Sequence, residues 1–277
     1  MSSVQLRDAP LRVLPVYRPW RSLGGRGSVH LIERHARAYR HMWLVFISGI
    51  GEPLFYLLSI GVGLGGLVGS VIGPGGHPVG YATFVAPALL ATTSMTGAIY
   101  DATFNVYLRL KYAKLYDAVL ATPMRAGDVA LGEIGWALTR GSLYATAFLG
   151  VMLVLGLLHS PWAIALLPCA ILTGFAFSAT GMAATTYMRS WQDFEYVNLA
   201  MMPLFLFSTT FYPLGVYPRV IQILVECTPL YQAVVLMRGL ALGVVGPSLL
   251  WRAAYLALMG LGGLYVAGRR VRTLLLT

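Results

Sequence analysis

Charge is what this chain has least of. Asp, Glu, Lys and Arg make up 11% of its 277 residues, where a soluble domain carries about 25%. Lysine is nearly absent. Lys111 and Lys114 are its only two, and neither follows the glycine spacing of a Walker A loop, so the chain has no such nucleotide site of its own. Cysteine is as sparse: Cys169 and Cys227 stand apart, form neither a metal site nor a disulfide framework, and read as small packing residues. No HExxH occurs, the 5 histidines are scattered, and acids enter the apolar segments singly. Catalysis and metal binding are therefore not expected. No cleavable signal is expected either, because roughly forty polar and basic residues come first and no small-residue cleavage site follows a short apolar core.

What the chain has is long apolar runs. Hydrophobic residues make up 57% of it, and the mean hydropathy is +0.71. Runs of about 20 apolar residues are long enough to cross a hydrocarbon layer of about 30 Å. They lack the alternation of barrel strands, which come in segments of about ten. The expected fold is an all-α polytopic membrane protein. Its six transmembrane helices fall near 44–67, 81–104, 136–158, 162–188, 198–212 and 249–268.

The net charge of +10 is unevenly placed. Arg7, Arg12, Arg18, Arg21, Arg26, Arg34, Arg37 and Arg40 precede the first span. Arg109, Lys111, Lys114 and Arg125 lie between the second and third, and Arg269, Arg270 and Arg272 close the chain. This is a positive-inside pattern, with added attraction to anionic membrane lipid and no call for nucleic acid as a partner. Both termini are expected in the cytoplasm, and the lysine- and arginine-free turn GSVIGPGGHPVG outside.

Residues 1–27, rich in Arg, Pro and Gly, read as a cytoplasmic basic tail, and 28–43 as an amphipathic helix lying in the membrane interface. Ser28 is its expected N-cap. Val29, Ile32, Ala36, Tyr39 and Trp43 share its apolar face. The six-span domain is assigned to 44–277. Residues 213–248 hold two apolar stretches, each too short to span, broken at Thr228-Pro229. If they crossed as one span, the arginine-rich C-terminus would lie outside, so the expectation is an external re-entrant helical hairpin between spans 5 and 6.

Several residues stand out by position. Glu52, followed by Pro53, lies deep in the first span, and Arg140 lies at comparable depth in the third, so the two are a candidate intramembrane charge pair. Asp101, near the inner end of the second span, reads as snorkelling or capping. Gly61 and Gly65 have the four-residue spacing of close helix packing, within the chain or between copies. Phe205, Phe207, Phe211 and Tyr212 gather toward the outer half of the fifth span. They suit an aromatic belt or the lining of a translocation path. The segment 105–128, NVYLRLKYAKLYDAVLATPMRAGD, is a basic, partly amphipathic island between two spans. It is longer than a turn needs, as a docking surface for a soluble partner would be.

The basic helix before the first span, GEPLFYLLSIGVGLG within it, KLYDAVLATPMRAGD after the second and FLFSTTFYPLGVYPRVIQILVECTPLYQAVVLMRGL before the last together resemble the membrane subunit of ABC-2 type exporters. The resemblance covers nearly the whole chain from about residue 28. It looks closest to the branch with the nodulation lipo-oligosaccharide and daunorubicin-type exporter permeases. It implies two permease copies, the second identical or different, and two separate ATPase subunits that bind ATP and Mg. It also implies a coupling helix at Lys114 to Pro123, with Lys114, Leu115, Tyr116, Leu120, Thr122 and Pro123 toward the ATPase and Asp117 at the family's acidic position. The arginine-rich tail departs from the family pattern.

The function this implies is outward movement of an amphipathic lipid, glycolipid, oligosaccharide or drug-like substrate across a bacterial cytoplasmic membrane, driven by ATP hydrolysis elsewhere. An ion-driven secondary transporter would instead favour paired intramembrane acids and broken helices in repeated halves. A non-transporting membrane scaffold is the other alternative.

Overall fold

The computed structural model describes residues 26–39, 51, 53–109 and 126–276. Helix dominates. α1 (Arg26–Tyr39) is followed by α2 (Pro53–Val68), the strands β1 (Ser70–Ile72) and β2 (Pro78–Gly80), and α3 (Tyr81–Asn105). Then come α4 (Ala126–Val154), α5 (Pro161–Thr185), α6 (Asp193–Phe207), α7 (Arg219–Glu226), α8 (Pro229–Leu242) and α9 (Pro247–Leu276).

Among the described residues, 4 helices are long and apolar enough to cross a membrane: Tyr81–Asn105, Asp128–Val154, Pro161–Thr185 and Pro247–Val271. A fifth is added only if α7 and α8, bent by 84°, count as one broken span. Over the first expected span the described helix is Pro53–Val68, and the helix over the fifth is short. α6 has 15 residues, a rise of about 22 Å against a layer of about 30 Å. It stops at Phe207, and residues 208–213 are not helical.

α5 is the central helix and packs against α3, α4 and α9. Its contact with α9 is the tightest in the bundle: a β-carbon at Gly263 would fall 2.7 Å from the backbone of Ala179 and Thr180. Small residues permit such approach where apolar burial gives helices no reason to associate. One core is centred on α3 and α8, with Phe84, Leu89, Leu90, Met95, Leu230 and Met237 all but sealed. A second, at the other end of the bundle, joins Leu31 of α1 to Val129, Ile134, Met182 and Val271.

Two local differences from the sequence reading have plain causes. The turn expected between the first two spans is a β-hairpin with Val71 opposite Val79. Gly75 and Gly76 turn it at φ 95° and 79°, a region glycine enters without a β-carbon clash. α4 is already helical at Ala126, ten residues before the expected third span. Hydropathy stops at Asp128 and Glu133, but both are buried within the protein rather than in lipid.

Backbone carbonyls freed where a helix breaks need partners, and here side chains supply them. At the α7–α8 break, Thr228 Oγ1 donates to Val225 O (2.7 Å), Tyr255 Oη to Cys227 O (3.0 Å), and Gln232 Nε2 to Glu226 O. Thr228 also caps α8, accepting from Tyr231 N, with Pro229 in the first turn.

Candidate functional site

α3 continues in helical turns through Arg109. That brings its end beside the start of α4, on either side of the island. Asp101 and Arg109 are eight residues apart, Glu133 and Arg140 seven, so each pair recurs on one helix face after about two turns. In an antiparallel pair this spacing sets Asp101 against Arg140 and Arg109 against Glu133, and both ion pairs form. The side chain of Glu133 is 2% exposed and that of Asp101 5%. Asn105 Nδ2 gives Asp101 a further bond of 2.6 Å. Such pairs are expensive to break once formed, because a single buried charge is left behind.

α1 joins this neck. His35 Nε2 lies 3.2 Å from Glu133 Oε1 and 3.5 Å from Arg109, with its ring centroid 5.8 Å from that of Trp136. The helix seats against α4 where side chains are missing. A β-carbon at Gly132 would fall 2.9 Å from Leu31, and one at Gly135 2.8 Å from Ile32. Leu31 and His35 are therefore the buried face, and Val29, on the expected apolar face, is 51% exposed. Ser28 lies inside the helix rather than capping it.

On the same side, Phe104 and Tyr107 of the α3 end meet Trp191 and Phe194, with centroids 5.2 Å apart for Phe104–Trp191 and for Tyr107–Phe194. The turn before α6 is fastened by Asp193, whose Oδ2 accepts from the backbone N–H groups of Arg189 (2.6 Å) and Ser190 (3.1 Å). Those donors hold its carboxyl below the usual carboxylate range.

The opposite end has its own cluster. Phe205 and Phe211 stack edge to face at 5.5 Å, with Tyr56 of α2 6.4 Å from Phe205. Phe207 and Tyr212 gather around Tyr217, which donates to Tyr212 Oη at 2.7 Å. The four aromatic candidates are thus two small groups flanking the chain break after α6. Beside them Arg238 is 5% exposed. It donates from Nε to Phe84 O (3.1 Å) and from Nη2 to both Thr209 O (2.9 Å) and Thr210 O (3.4 Å). Its guanidinium carbon lies 3.6 Å from the centre of the Phe84 ring.

The other residues singled out in the sequence fall as follows. A β-carbon at Gly61 would lie 3.5 Å from that of Ala82, and one at Gly65 3.9 Å from that of Tyr81, so both face α3 of the same chain. Arg140 meets Asp101, which is buried and paired rather than snorkelling. Glu52 lies outside the described residues, and so do Lys114, Leu115, Tyr116, Asp117, Leu120, Thr122 and Pro123. His35, Arg109, Glu133 and Arg238 went unmarked in the sequence. Arg109 and Glu133 had a signal, opposite charges spaced from Asp101 and Arg140 by eight and seven residues on the two flanks of the island, and His35 had none. Arg238 had one in being a lone arginine within an apolar helix.

Residues 28–242 match the ABC-2 type transporter family. Nodulation protein J of Rhizobium leguminosarum bv. trifolii is 35% identical over 215 residues, covering 76% of this chain and 79% of the relative. That of Rhizobium leguminosarum bv. viciae is 31% identical over 222 residues, 79% of this chain and 84% of the relative. That of Rhizobium meliloti (strain 1021) is 31% identical over 215 residues, 76% and 79%. A family match over most of the length, on a bundle of helices long enough to cross a membrane, leads to one conclusion: this chain is an integral membrane protein of the ABC-2 type transporter family.

Proposed function

We propose that the chain is the permease subunit of an ATP-binding cassette exporter in a bacterial cytoplasmic membrane. It moves an amphipathic lipid, glycolipid, oligosaccharide or drug-like molecule outward. ATP and Mg are bound by two separate ATPase subunits, and a second permease copy completes the path. Both termini and the 105–128 island face the cytoplasm, with 1–27 as a basic tail and 28–43 as the connecting helix. The six-span domain runs over 44–277 and includes the external re-entrant hairpin at 213–248.

The observation that supports this reading best is the neck of the island. Two buried ion pairs tie the end of α3 to the start of α4, and His35 fastens α1 to the same point. A loop that only reversed the chain would need no such clamp. A loop that receives a push does, because force applied at Leu115, Tyr116 and Leu120 then moves α1, α3 and α4 together. Lys114, Asp117, Thr122 and Pro123 complete the docking helix. Rigid-body motion of these helices opens a path between the two copies, near Phe205, Phe207, Phe211 and Tyr212.

Purification of the tagged chain in mild detergent tests this. The expected eluate contains a P-loop ATPase subunit in equal amount, and it hydrolyses ATP faster when reconstituted in native lipid. An eluate without an ATPase, together with transport that follows an imposed proton gradient, would contradict it.

A further inference from the structure

Thr209 is the only described non-glycine residue with positive φ, at 61°. For a β-branched side chain this is a true outlier, held only where the surroundings dictate it. Its hydroxyl is buried and has no hydrogen-bond partner among the described residues. Nothing in Thr209's own chemistry favours this conformation. What holds it is the carbonyl, which accepts from Arg238 at 2.9 Å.

Arg238 grips two other places. Thr210 O, the next carbonyl of the same break, accepts from the same nitrogen. Phe84 O lies in α3 next to Thr83, whose own carbonyl loses its helical donor to Pro87. Among the described residues no carboxylate lies within ion-pair distance of Arg238, so backbone carbonyls and one ring face are its environment. The planar fork of a guanidinium suits this task, since it serves several acceptors at fixed angles. Hydroxyls finish the closure: Ser208 and Thr210 approach to 2.7 Å, Thr92 and Thr210 to 3.4 Å, and Tyr81 Oη donates to Phe211 O at 3.2 Å.

We propose that Arg238 is a positioning residue for release at the outer end of the path. From α8 it holds the non-helical segment 208–212 against α3 with Thr209 in a left-handed conformation, and its bonds to Thr209 and Thr210 part when that end opens. This rests on the exporter reading above, because opening is taken to follow ATP binding by the partner. The segment is then a two-state element. Strain at Thr209 favours letting go, and the guanidinium prevents it.

The test is hydrogen exchange on the complete complex in nanodiscs, nucleotide-free and vanadate-trapped with Mg-ATP. Arg238→Gln should speed exchange over 208–212 by roughly tenfold in the nucleotide-free complex and leave α9 slow. Adding Thr209→Gly should slow it again, since glycine adopts positive φ without help. A role in general packing would not respond to that second change. In the unaltered complex, trapping should speed exchange over the same segment. Two results would overturn the proposal: unchanged exchange in Arg238→Gln, or a rise across the whole chain that Thr209→Gly does not reduce. If the variants behave as expected but trapping does nothing in the unaltered complex, Arg238 holds the segment and the ATP-driven release is overturned.

Discussion

Asp101 sits near the C-terminal end of an apolar helix, where a lone carboxylate is costly. Arg140 and Asn105 offset that cost. Removing one member of a buried pair costs about 3–5 kcal/mol. Asp101→Leu should therefore lower the melting temperature sharply in a fluorescence-detected gel-filtration assay, and exchanging the pair as Asp101→Arg with Arg140→Asp should recover much of the loss. Equal melting temperatures for all three proteins would remove the pair from the account. Asp193 gives a prediction in pH. Its carboxyl is held below the ordinary value of about 3.9. The order it lends to 189–193 is thus present above that pH and lost as pH falls through the lower folded value. Proteolysis of this turn should rise on acidification below about pH 4, and Asp193→Asn should abolish that dependence. At this scale the sequence was only half legible. That Arg140 needed an acid followed from hydropathy and depth. The expected partner, Glu52, lies outside the described residues, and Asp101 was not marked as a partner because pairing depends on which helices pack side by side.

At the scale of elements, glycine decides how close helices come. At Gly263 of α9 the α5 backbone is within 2.7 Å of where a β-carbon would be, while Gly262 has nothing within 4 Å. Gly263→Ala should therefore destabilise by about 1–3 kcal/mol through overpacking. Gly262→Ala should be neutral or stabilise by up to about 1 kcal/mol through helix propensity. A thermal-shift comparison of the two variants decides it, and equal shifts would contradict this packing. Four-residue spacing marked Gly61 and Gly65, yet the tighter approach is at Gly263, because spacing records only that close packing is possible. The break at Thr228-Pro229 was fully legible, since a capping hydroxyl before proline starts a helix by local chemistry alone. The buried face of α1 was not. It depends on the groove at Gly132 and Gly135, a hundred residues away in the chain.

For the whole molecule, apolar length and the placement of arginine identify a helical membrane protein, and the described helices agree. Its parts fall into two ends joined by α3. One is a clamped neck of His35, Arg109 and Glu133 beside Asp101 and Arg140. The other is a chain break flanked by aromatic residues and gripped by Arg238. In the proposed mechanism the neck receives the push from the ATPase, and the break lies toward the other end of the same helix. The central claim is that a separate ATPase acts through the 105–128 island. The most direct measurement is ATP hydrolysis by the co-purified complex in native lipid, compared with Leu120→Asp and Asp117→Lys. The account predicts that both variants are made and inserted at normal levels but lose the lipid-stimulated rate by at least about tenfold. Unaltered stimulation in both would contradict it.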